Sequence, residues 1–226
     1  MNEKWKRQKW LPLLLIPIVL FIVFNTYYSL PKLQSNMMQE KQKQIQDHAS
    51  IGISILSHFH TLELEGTLNR NEAQQQAKQL IGSLRFGQHN IDYYWINTHE
   101  PILVVHPYRP DLEGLDLEAA GEEEKYQLFK TLVETVEREG GGFVEYQWQY
   151  YDETDRVEPK ISYVTGFEPW GWIVGTGVYT NDIEESVEAQ RNINFIFIIT
   201  AIQFFLVAWV AHRIFINRQK KKKNHT

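Results

Sequence analysis

Two long uncharged stretches near the ends of the chain restrict its possible folds more than any other feature. Residues 11–30 contain no charged side chain over twenty positions, and residues 193–211 contain none over nineteen. A helix of twenty residues is about 30 Å long, which is the thickness of the hydrocarbon core of a bilayer. The sequence therefore predicts two transmembrane helices, with residues 31–192 between them.

Basic residues flank the two stretches on their outer sides. Six follow the second stretch, four of them in the run Lys220 to Lys223, and four precede the first: Lys4, Lys6, Arg7 and Lys9. Because basic flanks stay in the cytoplasm, residues 1–10 and 212–226 are predicted to be cytoplasmic. The middle of the chain is then extracytoplasmic, at the cell membrane. The net charge of -5 hides this division, since nearly all the acidic residues lie in the middle.

A cleaved signal peptide is the alternative interpretation of the first stretch. A basic start followed by an apolar run over residues 11–24 fits such a peptide. However, the residues that follow, NTYYSL, contain no small-residue cleavage site of the A-x-A kind. Their pattern favours a retained membrane anchor.

The middle of the chain has the pattern of an α+β domain. Residues 31–66 predict a long membrane-proximal helix, and a capping box at Asn71 and Gln74 predicts a second helix to about Arg85. Residues 122–139 predict a third helix, which ends at three glycines. Strand-like runs with short connections predict an antiparallel sheet. These runs cover residues 92–97, 102–106, 143–150, 160–167 and 172–179.

Five sequence blocks occur in a characteristic order: DYYWI, VVHPYRPDLEG, GGGFVEYQW, PKISYV and GFEPWGWIVGTGVY. Together they resemble the single Cache domain family of extracytoplasmic sensor domains. The resemblance covers roughly residues 32–183, with residues 67–183 as the sensor domain itself. It implies an α+β fold with a PAS-like antiparallel sheet of five to six strands, a long N-terminal helix and a transmembrane helix on each side.

The resemblance also implies a ligand site on the open face of the sheet, commonly for small organic acids. A carboxylate needs a cation and hydroxyl or indole donors. Strand residues an odd number of positions apart point to opposite faces unless a bulge intervenes. At most one of Tyr94 and Trp95 should therefore line the site, and at most one of Lys160 and Tyr163. Core packing is the alternative role for each aromatic residue. The candidate ligand-binding residues are Arg85, Tyr94, Trp95, His106, Lys160 and Tyr163.

The sequence favours a sensor without catalytic activity. It contains no cysteine and no recognisable nucleophile–base set, metal motif or phosphate loop. His58 and His60 are two positions apart on a predicted helix, so they do not face one ion together. We therefore expect no cofactor, no metal and no nucleic-acid partner. The alternative is a structural or assembly partner of a membrane signalling complex, with an unused pocket.

The resemblance implies that a signal crosses the membrane to an output domain. Only residues 212–226 follow the second stretch, so we expect the output to belong to a partner protein. A homodimer is the other expected assembly. Gln203 is the only strongly polar side chain in the middle of the second stretch, and it is predicted to bond across a helix interface.

Overall fold

The computed structural model describes residues 11–223, and it describes the side chains of residues 16–219 apart from Gln88 and Ile216. The predicted cytoplasmic N-terminus, residues 1–10, and the last three residues of the predicted tail lie outside this description. The chain forms two compact units. Among the described residues, one contains residues 11–36 and 183–223, and the other contains residues 37–182.

The first unit is helical and apolar. Helix α1 (Leu11–Phe24) leads into a π-helical turn (Asn25–Ser29), and α2 begins at Leu30. The last helix, α5, covers Asn181–Lys223. Two helical stretches are long and apolar enough to cross a membrane, and none of the side chains in their most apolar windows is buried. Exposed apolar surface of this extent is typical of an interface with a membrane or with another protein.

A polar contact joins the two helical segments of this unit. The amide nitrogen of Asn194 donates to the side-chain oxygen of Asn25 at 3.0 Å. The amide nitrogen of Asn25 donates in turn to the carbonyl of Phe21, also at 3.0 Å. The rings of Phe21 and Phe197 lie 5.3 Å apart beside this contact. The contact therefore fixes which sides of α1 and α5 face each other.

The second unit is built on a six-stranded antiparallel sheet, as the sequence predicts. The order is β1-β2-β6-β5-β4, and β3 pairs with β2 outside this path. The strands are β1 (Arg85–Phe86), β2 (Asp92–Thr98), β3 (Leu103–Val105), β4 (Gly141–Tyr150), β5 (Glu153–Phe167) and β6 (Trp172–Tyr179). Short β1 adds to the five predicted runs, and β5 begins seven residues earlier than predicted.

Helices cover both faces of this sheet. Helix α2 (Leu30–Leu64) and α3 (Arg70–Ser83) contribute to one apolar cluster, which includes Tyr94 and Val174 of the sheet. Helix α4 (Glu123–Glu139) contributes to the other, which includes Tyr93, Trp95 and Ile173. We call these two sides the α2 face and the α4 face. Alternate residues of β2, β5 and β6 fall into the two clusters, as the period of a strand requires.

The start of α3 differs from the prediction. Asn69, not Asn71, is the N-cap, and its side chain accepts from the backbone N–H of Glu72 at 3.0 Å. The Glu72 carboxylate accepts from the backbone N–H of Asn69 in return. Both asparagines can cap a helix, but only Asn69 has a glutamate at the third helical position, which completes the reciprocal pair. The predicted start was therefore wrong by two residues.

Two glycines of β6 make room on the α4 face. A Cβ atom on Gly175 would lie 2.1 Å from the indole of Trp95, and one on Gly177 would lie 2.1 Å from the Ser162 hydroxyl. Only a residue without a side chain fits at such a distance. The glycines let the side chains of β2 and β5 lie flat against β6, in the middle of the sheet.

Candidate ligand-binding site

Lys160 is the charged residue at the centre of the α4 face. It lies in β5 between Tyr146 of β4 and Tyr179 of β6. Only 2% of the residue is exposed, although lysine is rarely fully buried without a partner. Its ammonium donates to the Tyr93 hydroxyl at 2.7 Å, and it lies 3.9 Å from the centroid of the same ring. The rings of Trp95 and Tyr179 follow at 5.4 and 5.2 Å.

No carboxylate in the described part of the chain lies within salt-bridge distance of this ammonium. Burial lowers the pKa of Lys160 from 10.5 to about 7, and the more distant charge of Asp92 opposes the change only in part. Burial raises the pKa of Tyr93 well above its usual value, so its hydroxyl stays neutral. A buried ammonium with one neutral acceptor and two further N–H groups favours the binding of an anion.

His106 supplies a second polar group beside Lys160. Its ring lies 4.8 Å from Tyr93 and 5.6 Å from Trp148. Burial and the charge of Lys160 lower its pKa well below the usual value, so the imidazole is neutral. The backbone N–H of Tyr108 donates to Nδ1 at 3.3 Å. The ring proton is therefore on Nε2, which makes that nitrogen a hydrogen-bond donor.

His106 is also held through its backbone. The Glu113 carboxylate accepts from the His106 N–H at 2.9 Å, and the other oxygen of Glu113 pairs with Lys78 of α3 at 3.0 Å. The segment that follows β3 is thereby fixed beside the sheet. Such contacts, made behind a functional side chain, hold it in one orientation.

Hydroxyl and indole groups complete this side of the site. The Tyr146 and Ser162 hydroxyls are 2.9 Å apart, on neighbouring strands. The indole N–H of Trp95 donates to the buried side chain of Asn97 at 3.1 Å, which fixes the ring. Trp148 packs its ring edge against Phe129 of α4. Aromatic walls around a few polar groups are typical of small-molecule sites.

The structure brings three of the six candidate residues together: Lys160, Trp95 and His106 lie on the α4 face. Tyr94 lies on the α2 face, where its hydroxyl is 2.9 Å from Nδ1 of His48. Tyr163 lies on that face too, with its ring 4.8 Å from Phe143. Each predicted pair of alternatives is thus divided between the two faces, as strand alternation requires.

Arg85 lies at the margin of the α4 face. It belongs to β1, although the sequence suggested that it ends the preceding helix. Its guanidinium donates to the carbonyls of Gly82 and Leu84 at 2.8 Å each. It also lies 5.5 Å from the ring of Tyr108, which contacts Tyr93 at 5.0 Å. Arg85 therefore supports one wall and is separated from Lys160 by two aromatic rings.

Sequence reasoning missed four tyrosines of the site: Tyr93, Tyr108, Tyr146 and Tyr179. Tyr146 lies opposite Lys160 in the register of β4 and β5, which the sequence alone does not give. Tyr93 could have been found, because it is two positions before Trp95 and so shares its face. Tyr179 could have been found in the same way, because it is an even number of positions after Gly175 and Gly177 and so shares their face. Tyr108 lies outside the strands, where alternation does not apply, so no local signal indicated it.

Two surface concavities include residues of α2 in their lining. One, of 330 Å³, is lined by α2 residues that include Asp47 and His48. The other, of 240 Å³, lies between Met38 of α2 and the edge formed by β4 and β5. Lys160 belongs to its lining, but most of the other strand residues there, such as Glu145 and Ile161, are on the α2 side of the strands. We place the candidate site at the Lys160 ammonium, on the opposite face.

The comparisons with known proteins agree with this fold. The family model described as "Single Cache domain 2" matches residues 37–192. The chain belongs to the single Cache domain family. The predicted family and the predicted α+β fold are therefore both confirmed. Cache domains are ligand-binding sensor domains, and the described site lies within the matched residues.

Two curated relatives are signalling proteins. The methyl-accepting chemotaxis protein McpP of Pseudomonas putida is 32% identical over 184 residues, which are 81% of this chain and 33% of the relative. The sensor histidine kinase MctS of Rhizobium johnstonii is 24% identical over 212 residues, which are 87% of this chain and 44% of the relative. The chain thus spans between a third and a half of the length of these proteins.

Solved Cache domains have the same architecture. One is a Cache chemosensory domain studied for carboxylic acid recognition; it is 36% identical, with a TM-score of 0.58 over 64% of this chain and 97% of that one. Another, the periplasmic sensor domain of a chemotaxis protein, is 34% identical with the same TM-score, over 63% of this chain and 97% of that one. The present chain is thus a Cache protein related to chemoreceptors and sensor kinases.

Proposed function

We propose that this Cache protein is a membrane-anchored sensor whose domain outside the cell binds a small carboxylate beside Lys160. The observation that carries the proposal is the position of the Lys160 ammonium. It is buried among aromatic rings, with the neutral Tyr93 hydroxyl as its hydrogen-bond acceptor. A carboxylate placed there would supply the missing negative charge and would accept the remaining N–H groups.

The geometry also favours a particular binding mode. One carboxylate oxygen would accept from the Lys160 ammonium, and the other from Nε2 of His106. The remaining groups around this point are rings, which suit a short apolar tail on the ligand. We infer binding without chemical conversion, since the described groups bind and orient an anion and form no nucleophile–base pair.

The relatives support the same proposal. A solved Cache domain that is 36% identical recognises carboxylic acid, and the curated relatives are a chemoreceptor and a sensor kinase. The two apolar helical stretches would anchor the protein in the cell membrane, and the basic flanks favour cytoplasmic ends. The signal would then pass through the membrane helices to an output domain, for which a homodimer or a partner protein is the proposed route.

A thermal-shift panel tests this proposal on the full chain in lipid nanodiscs. The panel contains short carboxylates, the matching alcohols and amides, amines and neutral sugars. We expect only carboxylates to raise the melting temperature, since a ligand at one hundred times its Kd adds about 2.7 kcal/mol to stability. If amides or amines stabilise the protein as well as acids do, the proposed ligand class is wrong. If no compound stabilises it, the structural or assembly role is favoured.

A further inference from the structure

We propose that the tip of the β4–β5 hairpin is a gate over the Lys160 site, held closed by the hydrogen bond between Tyr151 and Asp92. The tip consists of Tyr151 and Asp152, between the end of β4 and the start of β5. Its description as a gate for a ligand rests on the proposed function. The hydrogen bond between Tyr151 and Asp92, which we call the latch, is a property of the described residues.

Tyr151 is anchored although it lies in a turn. Its hydroxyl donates to the Asp92 carboxylate at 2.7 Å, and only 9% of the residue is exposed. Its backbone N–H donates to the Tyr179 hydroxyl at 3.3 Å. Hairpin turns normally carry small polar residues or glycine. A buried tyrosine at this position therefore serves a contact and not the turn.

These contacts attach the tip to the walls of the Lys160 site. The ring of Tyr151 lies 4.8 Å from Tyr179 and 5.7 Å from Tyr108. Tyr179 is one of the rings that surround the Lys160 ammonium, and Tyr108 donates a backbone hydrogen bond to His106. Displacement of Tyr151 would therefore loosen two walls of the site together.

The Asp92 carboxylate is held in the position that the hydrogen bond with Tyr151 requires. Gly87 packs against its carboxylate so closely that a Cβ atom at that position would lie 1.9 Å from one oxygen. Gly87 has a φ of +74°, which glycine adopts at little cost. The other carboxylate oxygen is then available to the Tyr151 hydroxyl.

The tip also contains a feature that favours opening. Tyr151 has a φ of +48°, which is rare and unfavourable for a bulky residue. Such a conformation persists only where surrounding contacts enforce it, and it concentrates at switch regions. Strand β4 is the last strand on the path of the sheet, so the tip is held on one side by β5. Loss of the Asp92 hydrogen bond leaves the tip held by β5 and by the hydrogen bond to Tyr179, so opening should become easier.

Access to Lys160 requires such a motion. Lys160 and His106 are 2% exposed, and Tyr93 is 1% exposed. An anion can reach the ammonium only if part of the wall moves. The gate places that motion at Tyr151. The competing locations are the segment between β3 and α4 and the concavity beside Met38, whose lining includes Lys160.

Labelling of Lys160 measures the opening without any ligand. The full chain in nanodiscs is treated with acetic anhydride at pH 8, and acetylation of each lysine is followed by mass spectrometry. Tyr151→Phe keeps the ring and removes the latch, so we expect Lys160 to be acetylated about ten-fold faster than in the wild type. The rate at exposed Lys130 is the internal reference. Tyr150→Phe, which removes the neighbouring hydroxyl, is the matched control.

A double variant separates the latch from general loosening. Asp92→Ala should also accelerate labelling of Lys160, and Asp92→Ala with Tyr151→Phe should be no faster than the faster single variant. Equal labelling of Lys160 in Tyr151→Phe and wild type would overturn the gate, as would additive effects in the double variant. Because no ligand is used, this result is independent of the thermal-shift panel, and either proposal can fail alone.

Discussion

The Lys160 ammonium lies 2.7 Å from the Tyr93 hydroxyl, whereas the neighbouring Tyr94 hydroxyl lies on the other side of the sheet beside His48. Two adjacent tyrosines thus have separate roles. The first completes the candidate ligand site, and the second belongs to the contact between the sheet and α2.

This difference predicts that two conservative substitutions differ in their effect on ligand affinity. Tyr93→Phe leaves the buried ammonium without its acceptor, which should cost about 1–3 kcal/mol of stability and weaken carboxylate binding at least five-fold. Tyr94→Phe should cost about 1 kcal/mol of stability and leave the affinity unchanged. Chemical denaturation and calorimetric titration measure the two quantities. Weaker binding in Tyr94→Phe than in Tyr93→Phe would place the site on the α2 face.

The lowered pKa of Lys160 predicts how stability depends on pH without ligand. The unfolded lysine has a pKa of 10.5 and the folded one a pKa of about 7. Between these values the unfolded state binds more protons, so stability should rise with pH by up to about 1.4 kcal/mol per unit. Below pH 7 both states are protonated and the slope from Lys160 should vanish.

The comparison of wild type with Lys160→Met isolates this effect, because the other titrating groups are common to both proteins. Guanidinium unfolding of the full chain, followed by tryptophan fluorescence at pH 6, 7.5 and 9, gives the difference in free energy. We expect the free energy of unfolding of the wild type to increase relative to that of the variant between pH 7.5 and 9. A difference that stays constant over this range would mean that the folded Lys160 has an ordinary pKa.

Gly175 should tolerate no side chain. A Cβ atom there would overlap the Trp95 indole at 2.1 Å, and the ring is held in place by Asn97. Gly175→Ala should therefore cost about 1–3 kcal/mol and shift Trp95 fluorescence. Thermal unfolding and the emission spectrum test this. The double variant Gly175→Ala, Trp95→Phe should recover part of the loss, and failure to do so would assign the cost to another contact.

The Asn25–Asn194 hydrogen bond predicts a cross-linking pattern in membranes. The chain has no native cysteine, so cysteines at both positions can be joined by a short bifunctional thiol reagent. We expect efficient intramolecular linking, because the two side chains are 3.0 Å apart. Cysteines at Phe24 and Phe195, whose side chains are exposed, form the control pair. Equal yields in both pairs would contradict the described contact. The role of Gln203 stays a separate prediction.

Much of the fold could be predicted because its signals are local. The β6 range matches the predicted residues, since Trp172 follows a turn and Tyr179 precedes a helix start. The capping box was misplaced because Asn69 and Asn71 are equally good caps, and the choice depends on which partner lies three residues later. Pattern alone also missed β1, because two residues form too short a run.

The site was less predictable because its closure is not local. Alternation divides the paired candidates correctly, and it also indicates Tyr93. The walls around Lys160, however, also include Tyr108, which comes from a loop distant in sequence and packs against Tyr93. Tyr151, in a hairpin turn, packs against Tyr108 and Tyr179. Tyr151 has no strand period to reveal its direction, and its contact with Asp92 joins residues 59 positions apart.

Calorimetric titration of Lys160→Met tests the central claim most directly. The ligand is the carboxylate that stabilises the full chain most in the thermal-shift panel. Methionine removes the charge and keeps a similar apolar volume, so the fold should be retained or become more stable. We expect the affinity to fall at least thirty-fold, which is about 2 kcal/mol or more. Lys130→Met, on the exposed side of α4, should bind like the wild type. An unchanged affinity in folded Lys160→Met would contradict the account.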